Sequence, residues 1–290
     1  MKYPFKTKPY AHQITALNKG WDKLEYAYFM EMGTGKSKVL IDTIAMLYDA
    51  GKITGAVIIA PKGVYRNWSE KEIPTHMPTH IPITMGVWSA NLTGAKRKEL
   101  NEILAPNDDL NLLIINIDAL ITKKGKIMIE KFLNTRMALM CIDESTTIKT
   151  PSAKRTKEAI RLGKDARYRR ILTGSPVTKS PLDVFTQCEF LNSHLLGFSS
   201  YYSFRNKFAV TEDMYLGGRT IKQVVGYKNT ADLHEILQEF SYRVTKDECL
   251  DLPPKVFMRR EFEMTKEQKA AYEQMRSMAI AFIEGNEATT

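Results

Sequence analysis

Met30-Glu31-Met32-Gly33-Thr34-Gly35-Lys36-Ser37 is a glycine-rich turn that closes on Gly-Lys-Ser and runs into helix-forming residues. Its glycines let the backbone approach a ligand closely and aim N–H groups at it. The lysine adds a positive charge, and the serine adds a hydroxyl suited to a magnesium ion. That set fits a polyphosphate, although the complete pattern has a glycine where Met30 stands. A second feature lies about a hundred residues downstream, where Asp143-Glu144 follows the apolar run Ala138-Leu139-Met140-Cys141-Ile142. A carboxylate at the end of a buried strand is where the metal of a bound nucleotide is met, and its neighbour can orient and deprotonate a water in line with the γ-phosphate. Taken singly, an Asp-Glu pair after a strand is more often a helix cap or a solvated turn. The two features in this order make ATP with Mg²⁺ the expected ligand.

The chain around these sites alternates. Runs 56–60, 112–115, 138–142 and 170–173 are short and end at Pro61, Asn116, Asp143 and Gly174, as buried parallel strands do; 83–88 adds a further strand. Segments 36–48, 64–72, 95–104, 126–133 and 152–162 read as helices, the last opening at Pro151-Ser152. This alternation predicts a wound α/β sheet with ligands at the carboxyl ends of its strands. Beyond about residue 192 the texture changes. Phe198, Tyr201, Tyr202, Phe204 and Phe208 have helical spacing, which predicts the core of a small helical protrusion rather than a base-stacking platform. Gly217-Gly218 marks a turn, and Leu252-Pro253-Pro254-Lys255 breaks the chain between helices at 231–240 and 266–282.

A content of 43% hydrophobic and 26% charged residues argues against disorder. Lys and Arg exceed Asp and Glu by 42 to 33, and the excess is local. Lys149, Lys154, Arg155, Lys157, Arg161, Lys164, Arg167, Arg169 and Arg170 face only Glu158 and Asp165, so this stretch carries +7 of the net +9. Such a patch favours a polyanionic partner, although a charged helix face is usually plain solvated surface. Cys141, Cys188 and Cys249 are far apart and form no CxxC pair, so neither a disulfide framework nor a zinc site is expected; Cys141 reads as a buried small hydrophobe. The N-terminal stretch has no signal-peptide core, and no run approaches the ~18 apolar residues of a membrane span. The expectation is a soluble intracellular protein, cytoplasmic or nucleoid-associated (in the host cytoplasm if phage-encoded), with no membrane partner. His12 and His234 receive no special role, and Trp68 and Trp88 read as packing residues.

Several segments in order resemble the first RecA-like lobe of superfamily II helicases, specifically the Swi/Snf-type DNA translocases, in a compact phage- or bacterial-like form. Lys8-Pro9-Tyr10-Ala11-His12-Gln13 resembles the adenine-recognition motif. Glu31 to Ser37 resembles motif I. Ala60-Pro61-Lys62 followed by Asn67-Trp68 resembles motif Ia and the segment after it. Cys141-Ile142-Asp143-Glu144-Ser145-Thr146-Thr147-Ile148-Lys149 resembles the Asp-Glu-Ala-His motif, and Leu172-Thr173-Gly174-Ser175-Pro176 resembles motif III. Arg243-Val244-Thr245-Lys246-Asp247 with Leu252-Pro253-Pro254-Lys255 resembles the stretch leading to a second lobe. The match runs from about residue 8 to about residue 275. Ser145 and Thr146 depart from the family's Ala-His. Thr146 cannot bridge ATP to motif III as an imidazole does, and Thr147 and Gln187 stand as alternative bridges.

The resemblance implies a RecA-like P-loop NTPase lobe, an α/β fold whose central, mostly parallel sheet is flanked by helices, plus a helical insertion. It divides the chain into a lobe at 1–192, a mostly helical protrusion at 193–260 and a helical linker at 261–290. It further implies that Gln13 reads the base, that Met32, Gly33, Thr34, Gly35, Lys36 and Ser37 cradle the phosphates, that Ser37 and Asp143 hold Mg²⁺, and that Lys36, Asp143 and Glu144 are catalytic. Thr173 and Ser175 would link nucleotide state to DNA grip. Lys62, Arg66, Asn116, Asp118 and Lys149 are the implied contacts to one strand of double-stranded DNA, with a solvated lysine an equal reading of Lys62. The expected function is an ATP-dependent double-stranded DNA translocase, a DNA-dependent ATPase. A nucleotide-dependent DNA-binding or regulatory module without hydrolysis of its own is the alternative, and the ordered motifs argue against an unrelated P-loop ATPase. Nothing after motif III reads as a second α/β lobe. Weak activity is therefore expected unless that lobe, with its arginine, comes from a longer chain or in trans.

Overall fold

Apolar runs that offer no polar face need covering on both sides, and the architecture supplies this. The computed structural model describes residues 2–91, 93–216, 219–249 and 258–287. Its strands are β1 (Glu25–Met30), β2 (Gly55–Ala60), β3 (Ile83–Val87), β4 (Leu110–Asn116), β5 (Ala138–Asp143), β6 (Tyr168–Leu172), β7 (Ala209–Leu216), β8 (Arg219–Tyr227) and β9 (Ser241–Val244). Seven of them form one sheet in the order β3-β4-β2-β5-β6-β1-β9, every pair parallel. Ile58 of β2 stands beside Ile114 on one side and Cys141 on the other. All residues of β2 and β5 are buried, which is why these strands are continuous apolar runs rather than alternating ones.

The helices are α1 (Ala11–Gly20), α2 (Lys36–Asp49), α3 (Tyr65–Asn67), α4 (Ile73–His76), α5 (Gly94–Glu102), α6 (Lys123–Thr135), α7 (Lys154–Gly163), α8 (Val184–Leu191), α9 (Tyr201–Phe208), α10 (Thr230–Glu239), α11 (Lys246–Cys249) and α12 (Lys266–Glu287). A π turn, Trp68–Glu72, joins α3 to α4. Alternate strand residues feed two cores. Tyr28, Ile58, Ile114, Cys141 and Leu172 pack with Leu17 of α1, Leu40 and Ile44 of α2, and Trp68. Phe29, Ile59, Ile115, Ile142 and Ile171 pack with Phe132, Leu162, Phe190, Phe204, Phe208 and Leu233 on the other face. Residues 252–290 form a separate unit, described here only by its own helix, α12.

The five strands read from the sequence are all present. So are its helices, with ends moved by a few residues; α7 begins at Lys154, two residues beyond the expected start at Ser152. Strand β1, next to the edge, and the edge strand β9 were not read. The segment 193–260 is not mostly helical: α9, α10 and α11 share it with the β7–β8 antiparallel hairpin, and β9 returns to the central sheet beside β1. Gly217-Gly218 and Leu252-Pro253-Pro254-Lys255 lie outside the described residues. The aromatic cluster is core: Phe204 and Phe208 are fully buried with ring centroids 4.8 Å apart, although Tyr202 is exposed.

Five of the nine cations of the expected basic patch are paired with carboxylates or buried, and Lys154, Lys157, Lys164 and Arg167 stay exposed. Arg161 pairs with Glu130 and Glu158, Arg169 with Glu25, Arg155 with Asp118, and Lys149 with Asp183. Arg170 is not at the surface at all: it is fully buried. Its guanidinium donates to the carbonyls of Gly20, Trp21, Lys23, Leu24 and Arg169 at 2.6–3.1 Å, fastening the turn between α1 and β1 to β6. Burial lowers its affinity for the proton, and the neighbouring Tyr28 counters this. Arg170→Lys keeps the charge but cannot reach so many acceptors, and buried carbonyls left unpaired cost about 1–3 kcal/mol each. Urea unfolding should show a loss of about 2–4 kcal/mol for this variant, against less than about 0.5 kcal/mol for Lys154→Ala. Equal stabilities for the two variants would contradict the assignment.

Candidate functional site

The carboxyl end of β1 opens directly into the glycine turn. Gly33 and Gly35 have φ of +87° and +83°, a left-handed backbone that disfavours other residues. A side chain at Gly35 would also collide with Gln13, whose Nε2 lies 2.1 Å from where a Cβ would stand. The turn is held from beneath. Thr34 is buried, and its hydroxyl donates to Glu31 O at 2.8 Å. Thr34 O receives Gln13 Nε2 at 3.1 Å and meets His12 Nε2 at 2.8 Å. With Gly35 as its cap, α2 has no capping side chain, so its first-turn N–H groups stay available. Met32 is exposed, and Ser37 is half-buried with no side-chain hydrogen bond among the described residues.

Two further strands bring their ends to this turn. Lys36 Nζ lies 3.2 Å from Glu144 Oε1, just beyond β5. Thr173, at the end of β6, donates from its hydroxyl to Glu144 Oε2 at 3.3 Å and accepts from Ser175 N. Glu144 has a left-handed backbone, φ +50°, which turns the chain sharply at the strand end. Gly174 packs on the phosphate loop, where a Cβ would stand 3.1 Å from Met32 N. Asp143 is buried. One carboxylate oxygen accepts from Glu144 N at 3.0 Å and the other from the Trp68 indole at 3.1 Å. Burial pushes its carboxyl up to about 6; Lys36 and the indole pull it back, and Glu144 pushes it further. Desolvated carboxylates of this kind suit a cation.

A cleft of about 290 Å³ adjoins the loop, lined by Thr7, Lys8, Tyr10, Gln13, Lys38 and His76 as well as the glycine turn. Gln13 is part of its wall, but its amide is engaged: Oε1 accepts from Tyr10 N, and Nε2 donates to Thr34 O. Lys62 and Arg66 are exposed just beyond β2. Arg66 Nε donates to the Tyr65 hydroxyl at 3.3 Å, and the remaining expected DNA contacts have partners too. Asn116 caps the turn that follows β4, Asp118 pairs with Arg155, and Lys149 contacts Thr178 and Asp183. Ser175 is exposed and lines a different cleft, of about 720 Å³, with His234, Tyr242 and Arg243.

Three contributors were not read from the sequence, and a fourth was left open. His12 supports the loop. Trp68, expected only to pack, donates to Asp143. Lys246 lies over Gly33, its Nζ 3.7 Å from where a Cβ would stand, and its backbone N–H donates to Glu31. Gln187, left open as an alternative with Thr147, forms a bridge: Ser145 Oγ donates to its Oε1 at 2.6 Å, and its Nε2 donates to Pro176 O and Asp183 O. Thr147 Oγ1 is buried with no partner among the described residues.

The sequence profile of the SNF2-related domain matches residues 28–290. The mouse DNA annealing helicase and endonuclease ZRANB3 is 28% identical over 260 residues, covering 87% of this chain and 22% of that protein. A probable ATP-dependent DNA helicase of Arabidopsis thaliana, CHR12, is 26% identical over 258 residues, covering 86% and 21%. The chain thus spans about a fifth of the length of these curated relatives. The Sulfolobus solfataricus SWI2/SNF2 ATPase core, solved in complex with dsDNA, superposes with a TM-score of 0.63 at 24% identity, covering 85% of this chain and 46% of that one. The fold is RecA-like.

Because the native Asp143 carboxyl keeps its proton to higher pH than an unfolded one, its contribution to stability falls as pH rises from about 4 to about 6 and is flat above. In metal-free buffer Asp143→Asn should therefore gain on the wild type across that window, by about 3 kcal/mol at most. Unfolding curves from pH 4 to 8 check this; a difference that does not vary with pH would contradict it.

Proposed function

We propose, for a chain that belongs to the SNF2-related domain family, that it is the first ATP-binding lobe of a motor coupling ATP hydrolysis to movement along double-stranded DNA. The observation that carries this reading is the meeting of Lys36, Asp143, Glu144 and Thr173, brought by three strand ends to one uncapped helix start. The residues fit a magnesium nucleotide. Left-handed glycines and free N–H groups make a cradle for phosphates. Ser37 and the desolvated Asp143 offer two oxygens of the kind that hold Mg²⁺ beside phosphate and water. Among the described residues there is no cluster of three or more His, Cys, Asp or Glu able to hold a metal, so a metal here would depend on the phosphate oxygens. When bound, the metal supplies Lewis-acid polarisation of the γ-phosphoryl group.

The protein groups divide the remaining work. Lys36 would exchange Glu144 for phosphate oxygens, leaving Glu144 to accept a proton from water. Thr173 senses that change through its bond to Glu144, and Gln187 ties the same segment to Pro176. Thr7, Tyr10 and Gln13 line the base cleft. Gln13 holds the loop with one amide N–H and one Oε1 lone pair, and its second N–H and second lone pair are the ones that would read the base edge. Lys62 and Arg66 are exposed beside the strand end for a DNA backbone, Arg66 with its Nε on Tyr65; Asn116 uses only its Oδ1 as a cap, whereas Asp118 and Lys149 would first have to exchange their charged partners.

We assign the lobe to the unit ending at Asp251, with 252–290 leading toward a second RecA-like lobe in a longer chain or in trans. Such a lobe would supply the arginine worth about 10³–10⁵ in turnover in related sites. No described helix is long and apolar enough to cross a membrane.

Nucleotide titration should show Lys36→Ala weakening ATP binding at least about tenfold. Glu144→Gln should bind normally and lose about 10²–10⁴ in hydrolysis when a second lobe is present. With a second lobe present, double-stranded DNA should stimulate the wild type; ATP and DNA binding with no stimulated hydrolysis under that condition would favour the regulatory reading. Unchanged affinity in Lys36→Ala would refute both.

A further inference from the structure

The segment after β2 presents two faces. Val64 and Tyr65 N–H groups both donate to Pro61 O at 3.0 Å, so the chain turns tightly from the strand end into α3. Arg66 is exposed, with its guanidinium over the Tyr65 ring and its Nε donating to the Tyr65 hydroxyl at 3.3 Å. Trp68, two residues on, begins the π turn and is buried in the cluster that also holds Tyr65, Ile73 and Cys141. Its indole N–H reaches across to Asp143 at 3.1 Å. Single π turns recur at functional sites because they re-aim a side chain within a helix. A hydrogen bond to a carboxylate in a desolvated site is stronger than a neutral one, and here the packed ring leaves the donor little freedom to follow another partner. Lys62 and Arg66 therefore belong to a short, stiff segment that ends on the proposed metal carboxylate.

We propose that Trp68 is a positioning residue that ties the Asp143 carboxylate to the exposed Lys62–Arg66 segment. Engagement of that segment by a phosphodiester backbone is then felt at the magnesium site. A displacement of the segment changes the distance between the indole and the carboxylate, and with it the orientation of the oxygens offered to the metal. The contact assigns to Trp68 a role that packing alone does not require. It rests on the reading of Asp143 as the metal carboxylate and of the partner as DNA.

The test measures a fluorescent ATP analogue binding to the whole chain as Mg²⁺ is titrated, with and without a DNA duplex. In the wild type the duplex should lower the Mg²⁺ concentration for half-maximal tightening at least about fivefold, the lower end of ordinary coupling between sites. Trp68→Phe keeps the ring and removes the donor; its shift should fall below about twofold. Binding in EDTA within about twofold of wild type would show that the variant is folded. Asp143→Asn should abolish the same shift, and the double variant should lose nothing further, because one residue acts through the other. A full shift in Trp68→Phe, or additive losses in the double variant, would overturn the proposal. A wild type that binds the magnesium nucleotide without any duplex effect would overturn it while leaving the phosphate-loop reading intact. Failure to bind nucleotide at all would refute that reading and this proposal together.

Discussion

A carboxylate held out of water at the end of β5 sets the terms for the residues around it. Asp143 is buried, and an ionised carboxylate there is costly unless donors and a positive charge surround it. Glu144 N and the Trp68 indole supply the donors, and Lys36 supplies the charge. Each comes from a different segment: the strand end itself, the π turn after β2, and the start of α2. Satisfying one buried group thus fixes the relative placement of three motifs. The same arrangement is organised in advance for a metal ion and a phosphate.

The parallel sheet makes that convergence possible. In the order β2-β5-β6-β1, four neighbouring strands run the same way, so their carboxyl ends share one rim. The rim carries Lys62 after β2, Asp143 and Glu144 at β5, Thr173 after β6, and the glycine turn after β1. Hydrogen bonds then connect neighbours along it: Trp68 to Asp143, Glu144 to Thr173, Ser145 to Gln187, and Gln187 to Pro176. Gln187 ties Ser145, just after β5, to Pro176, just after β6. It does so from α8, with Gln187 and Ser145 both fully buried.

Much of this was legible in the chain. Strands β2, β4 and β5 are fully covered and read as apolar runs, and the glycine turn follows from residue types alone. What was hidden depends on partners distant in sequence. In β1 two tyrosines replace aliphatic residues, and Tyr28 is tolerated because its hydroxyl meets Thr43 on α2 at 3.1 Å. Strand β9 is four residues long and carries polar residues at two of its four positions, Ser241 and Arg243. Arg170 counts as surface charge in any composition, yet from β6 it is buried and holds the carbonyls of the α1–β1 turn. Trp68 is apolar by any scale; only the position of Asp143, 75 residues away, gives its N–H a function. Charge counting fails for a related reason, since Lys149, Arg155, Arg161 and Arg169 meet carboxylates from Asp183, Asp118, Glu130, Glu158 and Glu25.

The central claim is that a triphosphate rests in the Gly33–Ser37 cradle with its metal between Ser37 and Asp143. The most direct measurement is a crystal structure of this chain with Mg²⁺ and a non-hydrolysable ATP analogue. The account predicts the γ-phosphate on Lys36 Nζ and the metal held by Ser37 Oγ, with Asp143 facing it directly or through one water. A nucleotide bound elsewhere, or a metal that neither Ser37 nor Asp143 approaches, would contradict it.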